Sequence, residues 1–191
     1  MNYEQYWRNI HAISDNLNSS FTSYWAKYSD WGTWQFWVLL VSLVLPLVLL
    51  YFTVDRRRIF ELFFFGYTAH LLWWYINLML GRSGHLTFKY FLTPYLPISV
   101  NVVSSVLPVS FLLLYQYCTD KHKSFFFYSL VLSAIFSFVV GPIEGHLHFA
   151  DIRSPMNLFS FFVIDVGVVF ISYWFTKLVM KIGREVNVKP L

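Results

Sequence analysis

Five long apolar segments constrain the fold of this chain more than any other feature of its sequence. They cover residues 34–54, 59–80, 96–118, 124–140 and 158–180. A helix needs about 20 apolar residues to cross the roughly 30 Å hydrocarbon core of a bilayer. All but the fourth segment reach that length, and Gly141-Pro142 is expected to end the fourth. The sequence therefore predicts an all-α integral membrane protein with a bundle of five transmembrane helices, spanning residues 31–183.

The composition supports a chain that is solvated partly by lipid. Of its 191 residues, 57% are hydrophobic and only 13% are charged, whereas a soluble domain carries about 25% charged residues. Cys118 is the only cysteine, which excludes a disulfide within the chain and a cysteine-based zinc site. No phosphate-binding loop and no hydrolase or zinc-protease motif occurs. We expect the bilayer to be the main partner, together with a membrane-protein partner or a second copy of the chain, and no nucleic acid.

Residues 1–30 have the pattern of an amphipathic helix that is too polar to span a membrane. Apolar residues recur at alternating steps of four and three, with Ser14 interrupting them; they are Tyr3, Trp7, Ile10, Leu17, Phe21, Tyr24 and Tyr28. We predict an extracytoplasmic helix that lies in the headgroup region or covers the outer mouth of the bundle. A third interpretation is a scaffold helix that docks a larger membrane complex. No apolar core of signal-peptide length occurs here, so no cleaved signal is expected.

The distribution of basic residues predicts the orientation of the bundle. Nine lie at one end of the five segments, namely Arg56, Arg57, Arg58, Lys121, Lys123, Lys177, Lys181, Arg184 and Lys189. The opposite end carries five, namely Arg8, Lys27, Arg82, Lys89 and Arg153. Because cytoplasmic loops are enriched in lysine and arginine, we expect the N-terminus outside and residues 184–191 as a cytoplasmic tail.

Several polar side chains interrupt the apolar segments, and such residues usually face the bundle interior. Asp165 is either a cation, proton or catalytic site, or a structural carboxylate that bonds a neighbouring helix. His70 fits a ligand or a structural bundle residue. Asn77 and Asn101 fit ligand contacts or hydrogen bonds between helices. Glu61, next to three arginines, is interpreted as an ion-pair partner.

The depths of these residues suggest a common site. Asn77, Asn101 and Asp165 fall in the predicted outer half of the bilayer, and His70 falls near its middle. If they converge, they line a cavity that opens outward toward Glu144. The leading hypothesis is a non-enzymatic protein that binds a small ligand or ion there, as a transporter-like, sensor or accessory subunit.

The loop "GPIEGHLHFADIRSP" (141–155) concentrates titratable side chains between two apolar segments. In an extended segment His146 and His148 would point the same way and, with Glu144 or Asp151, bind a divalent metal such as zinc or copper. An intramembrane enzyme would instead use Glu144 or Asp165 with a histidine. The third interpretation is an interfacial loop in which an acidic residue pairs with Arg153. All three are open at the level of sequence.

Three stretches also resemble a known family. They are "DRRRIFELFFFGY" (55–67), "YLPISVNVVSSVLPVSFLLLYQYC" (95–118) and "FSFVVGPIEGHLHF" with the following "NLFSFFVID" (136–165). The series resembles a family of small, aromatic-rich, multi-span membrane proteins of spore-forming Gram-positive bacteria (Bacillales and Clostridia). The resemblance covers roughly residues 55–177 and implies a bacterial inner-membrane address, without an activity. That family often has an acidic residue late in the second span, where this chain has Asn77.

Overall fold

A computed structural model of the protein describes residues 2–187, most of which are helical. The helices are α1 (Tyr3–Tyr28), α2 (Trp34–Thr53), α3 (Ile59–Arg82), α4 (Leu107–Asp120), α5 (Phe125–Ile135), α6 (Gly141–His146) and α7 (Leu158–Asn187). A 3₁₀ turn, Arg56–Arg58, leads into α3, and π-helical turns Val102–Val106 and Phe136–Val140 lead into α4 and α6. Two short strands, β1 (Leu86–Phe88) and β2 (Ala150–Ile152), complete the fold.

Four of the described helical segments are long and apolar enough to cross a membrane. They are Trp34–Thr53, Val102–Asp120, Phe125–His146 and Leu158–Gly183. Large apolar side chains cover their outer surfaces; on α2, Val41, Leu45 and Val48 each leave about half of their surface exposed. Such an apolar belt is unfavourable in water and favourable against lipid. The prediction of a polytopic helical membrane protein is confirmed to this extent.

The second predicted segment forms α3, a helix about 36 Å long at 1.5 Å per residue, but it is not one of these four. Its composition is more polar because it carries Glu61, His70 and Asn77 among tryptophans and tyrosines. Helix α3 packs against both α4 and α7, and most of its polar groups face protein. It buries Leu62, Phe65, Gly66, Ala69, Trp73 and Asn77. A fifth span therefore stays a prediction.

Pro108 and Pro142 each follow a π-helical turn within a continuous helix, which corrects the predicted helix boundaries, whereas Pro46 lies inside the α-helix α2. Proline has no N–H, and in an α-helix its ring clashes with the carbonyl four residues back. Each π-helical turn ends two residues before a proline, Pro108 or Pro142. The intervening amides, those of Leu107 and Gly141, bond to carbonyls five residues back. The prediction that Gly141-Pro142 ends the fourth segment is wrong, because the wider turn lets the helix continue to His146.

The structure is compatible with the all-α prediction, and a short two-stranded antiparallel ribbon that the sequence did not predict accompanies the helices. Strand β1 follows α3 and β2 follows α6, and they pair with Thr87 opposite Asp151. Two further backbone bonds extend the ribbon: Lys89 N–H donates to the Phe149 carbonyl at 3.0 Å, and Arg153 N–H donates to the His85 carbonyl at 2.9 Å. The ribbon ties two loops, distant in sequence, across one end of the bundle. We call this the ribbon end.

Helix α1 covers most of the N-terminal segment and has little contact with the bundle. The Asn2 side chain accepts from the Gln5 N–H while the Gln5 side chain accepts from the Asn2 N–H, each at 2.9 Å, which caps the first turn. None of its residues is buried. Its last turns contact Phe91, whose carbonyl accepts from the Trp25 indole N–H at 3.0 Å. The interfacial location of α1 and its docking to a partner both stay predictions.

The end opposite the ribbon gathers charged side chains around Glu61, and we call it the basic end. Arg58 Nε lies 3.2 Å from Glu61 Oε2, and Lys177 Nζ lies 3.6 Å from Glu61 Oε1. The buried Tyr115 hydroxyl donates to the same carboxylate, and Arg58 Nη1 lies 2.7 Å from Asp120 Oδ1. The interpretation of Glu61 as an ion-pair partner is confirmed. This cluster joins the start of α3, the end of α4 and the second half of α7.

Candidate functional site

A cavity of about 580 Å³ lies near the ribbon end, between α2, α3, α7 and both π-helical turns. Residues of the ribbon and of α6 cover it. Since His146 and Leu147 are exposed and also line the cavity, it reaches the surface at this end. Six of the residues singled out from the sequence line this one cavity; they are Asn77, Asn101, Glu144, His146, Asp151 and Asp165. The histidines His70 and His148 do not line it.

Asp165 supplies the deepest charge-bearing group of the cavity. It lies in the third turn of α7 and is 2% exposed. The Ser133 hydroxyl and the Trp73 indole N–H flank its carboxylate. Neither carboxylate oxygen forms a hydrogen bond of normal geometry among residues 2–187, and the two donors beside it, Ser133 Oγ and Trp73 Nε1, are without partners as well. Because a buried unpaired acceptor is costly, the carboxylate is suited to a group that enters from the cavity.

Asn77 also presents a buried acceptor without a partner to the cavity. It follows Trp73 by four residues on α3, so the two side chains share a helix face, and both line the cavity. Asn77 is 5% exposed, and its Oδ1 has no partner within the described part of the chain. The Asn77 Oδ1 and the two Asp165 oxygens are therefore three unpaired acceptors on one cavity.

Asn101, by contrast, has its hydrogen bonds satisfied within the protein. Its Nδ2 donates to Ser42 Oγ of α2 at 2.7 Å, and its Oδ1 accepts from Ser99 Oγ at 3.0 Å. This arrangement matches the alternative in which an asparagine links helices. Asn101 forms part of the cavity wall, and it is less available to a ligand than Asn77.

His70 has a structural role that the π-helical turn explains. In such a turn the Val103 carbonyl would accept from the residue five positions on, which is Pro108 and has no N–H. His70 Nδ1 lies 2.9 Å from this carbonyl oxygen. Since a carbonyl only accepts, we assign the proton to Nδ1. The His70 ring thus replaces the missing backbone donor, and the inclusion of His70 among the cavity residues is not supported.

The histidines of the 141–155 loop do not form a ligand set. His146 ends α6, and His148 follows it with a φ of 59°, so the extended geometry expected for a shared metal is wrong. Among residues 2–187 no group of three or more His, Cys, Asp or Glu side chains is arranged to hold a metal ion. Arg153 Nε lies 3.9 Å from Asp151 Oδ2 on the exposed ribbon, a pairing that contributes little stability.

Sequence reasoning missed several residues of the cavity. Ser42 and Ser137 line it from α2 and the second π-helical turn, and Trp73 presents an indole N–H without a partner. Pro108 and Pro142 were a usable signal, because proline removes a backbone donor and often disturbs a helix, and π-helical turns often occur at functional sites. Both irregularities here line the cavity.

No protein-family model matches this chain, and no curated protein or solved structure matches it either. The resemblance to the family of spore-forming bacteria therefore stays a prediction.

Proposed function

We propose that this protein is a five-span bacterial inner-membrane protein that binds a small ligand in the cavity at its ribbon end. The observation that carries the proposal is the pair Asp165 and Asn77. Their three acceptor oxygens are buried, have no partner among the described residues, and lie on a cavity of about 580 Å³. That volume is within the roughly 300–1,000 Å³ of small-molecule sites, which combine apolar walls with a few polar groups.

The proposed topology has α3 as the fifth span and the N-terminus outside. Helix α3 runs from the Glu61 cluster at the basic end to β1 at the ribbon end. Its length of about 36 Å is enough to cross the hydrocarbon core of roughly 30 Å. Its contacts with α4 and α7 cover much of its polar face. Because Arg58, Asp120 and Lys177 meet at one end, the basic loops lie together, and the positive-inside rule favours the cytoplasm for them. The cavity then faces outward.

Ligand binding is favoured over catalysis because, among residues 2–187, no hydrogen-bonded acid–base pair lines the cavity. His70 bonds to the Val103 carbonyl, and no activated nucleophile accompanies Asp165 or Glu144 in this part of the chain. A transporter-like, sensor or accessory role requires only a site that a ligand can enter and leave. The wall of that site is formed by two π-helical turns, which are less regular than the α-helices around them.

A cavity-filling variant tests this proposal. Val106→Trp places an indole into the lining of the first π-helical turn, whereas Val131→Trp places one on the exposed face of α5. Detergent-purified protein would be screened against a library of small amines, alcohols, acids and sugars by thermal unfolding. We expect compounds that raise the unfolding temperature of the wild type and of Val131→Trp but not of Val106→Trp. Equal stabilisation of all three proteins would contradict binding in this cavity.

A further inference from the structure

We infer that the ligand of this cavity is a small organic amine with an apolar body, whose ammonium group is bound by Asp165 and Asn77. The inference rests on the proposed function and names its ligand class. It follows from three properties of the lining: its charge, its unpaired hydrogen-bonding atoms, and the apolar surface around them.

The ionisable side chains of the lining favour a cation. Three carboxyl-bearing residues line the cavity, namely Asp165, Glu144 and Asp151, and among the described residues no lysine or arginine does so. The basic groups with known partners lie outside the lining: Lys177 pairs with Glu61 at the basic end, about 18 Å along α7 from Asp165, and Arg153 pairs with Asp151 on the exposed side of the ribbon. An anionic ligand would meet three carboxyl-bearing side chains here and, within the described part of the chain, no lysine or arginine in the lining.

The unpaired acceptors of the lining match an ammonium group in number, and the Trp73 indole N–H is an unpaired donor beside them. A primary ammonium has three N–H donors and no acceptor. The Asp165 carboxylate and the Asn77 Oδ1 offer three acceptors that lack partners among residues 2–187. Hydrogen bonds between an ammonium and a carboxylate are also about twice as strong as bonds between neutral groups.

The remaining surface fits an apolar body rather than a bare metal ion. Most of the lining is apolar, and Trp73, Phe136 and Phe161 present aromatic rings, which attract organic cations as well as hydrocarbon. No set of three metal-ligating side chains occurs in the described chain. A cavity of about 580 Å³ also exceeds what one desolvated inorganic ion fills.

Three probes that share a phenyl group and differ in charge test the inference. Phenethylamine, phenethyl alcohol and hydrocinnamate would be titrated into detergent-purified full-length protein by calorimetry. We expect phenethylamine to bind at least about tenfold more tightly than the alcohol, and hydrocinnamate to bind most weakly. Asp165→Asn should weaken amine binding by about 10- to 100-fold and leave alcohol binding nearly unchanged. Asp15→Asn, on the exposed face of α1, is the matched control and should bind like the wild type.

If Asp165→Asn does not fold, Asn77→Leu can take its place. This variant removes one acceptor, so it should weaken the binding of the amine and leave the binding of the alcohol unchanged. Equal affinities for amine and alcohol, unaffected by either variant, would overturn the amine inference and leave the cavity proposal standing. The amine inference would also be overturned, and the cavity proposal would stand, if none of the three probes bound while other compounds stabilised the wild type but not Val106→Trp. If no compound of any class binds, both proposals fail.

Discussion

Replacing Glu61 by leucine is expected to lower the free energy of unfolding by about 3 kcal/mol. Glu61 is only 13% exposed at its side chain and is shared by Arg58, Lys177 and Tyr115. Leucine leaves the Tyr115 hydroxyl without its acceptor and Lys177 without its ion-pair partner. Arg58 keeps Asp120 at 2.7 Å, which places the loss at the low end for a broken buried ion pair. Denaturant unfolding in detergent, followed by tryptophan fluorescence, measures the change.

Two matched variants show whether this loss comes from the buried carboxylate. Asp120→Asn removes the other partner of Arg58 at a side chain that is 41% exposed, so its cost should stay below about 1 kcal/mol. Glu61→Gln keeps an acceptor for Tyr115, so its loss of unfolding free energy should lie between those of Glu61→Leu and Asp120→Asn. A Glu61→Leu protein as stable as Asp120→Asn would contradict the view that Glu61 holds α3, α4 and α7 together at the basic end.

Replacing His70 by leucine is expected to cost about 1–3 kcal/mol of stability, because it leaves the Val103 carbonyl without a donor. Asparagine can place its amide nitrogen near the position of the histidine Nδ1, so His70→Asn should recover most of the loss. Since His70 does not line the cavity, both variants should keep the ligand affinity of the wild type. The unfolding free energy and the dissociation constant of any cavity ligand are the two measurements.

The outcomes separate a structural His70 from a functional one. A His70→Leu protein with unchanged stability and weakened binding would return His70 to the ligand site. Failure of His70→Asn to restore stability would show that the ring packing, and not the hydrogen bond, is what matters at this position.

The helical membrane architecture could be predicted from the sequence because it depends on the length of apolar runs. Helices α2 and α7 begin at the residues expected, Trp34 and Leu158. The continuation of the fourth helix through Pro142 could not be predicted, because proline usually ends or kinks a helix and only the π-helical turn before it relieves the clash. The ribbon was missed because three-residue strands such as Leu86–Phe88 are too short to show an alternating pattern.

The candidate site could be predicted in part, because the sequence gives the depth of each residue along its helix. Depth along a helix follows from residue number, so Asn77, Asn101 and Asp165 could be assigned to one level of the bilayer. Which helix faces meet depends on tertiary packing, which one sequence does not contain. For the same reason the sequence could not distinguish the roles of Asn77 and Asn101. Both are amides within apolar runs, but only Asn101 has Ser42 and Ser99 within hydrogen-bond reach. His70 was grouped with the cavity for lack of this information.

Access of a water-soluble reagent from the outside would show whether the cavity opens at the outer face of the membrane. Single cysteines would be introduced into a Cys118→Ala background and exposed, in sealed right-side-out vesicles, to a membrane-impermeant methanethiosulfonate. Ser137→Cys lines the cavity, Ser154→Cys lies on the exposed loop at the ribbon end, and Ser105→Cys is fully buried outside the lining. We expect labelling of Ser137→Cys and Ser154→Cys and none of Ser105→Cys. A Ser137→Cys protein that resists a reagent able to label Ser154→Cys would contradict an outward-facing cavity.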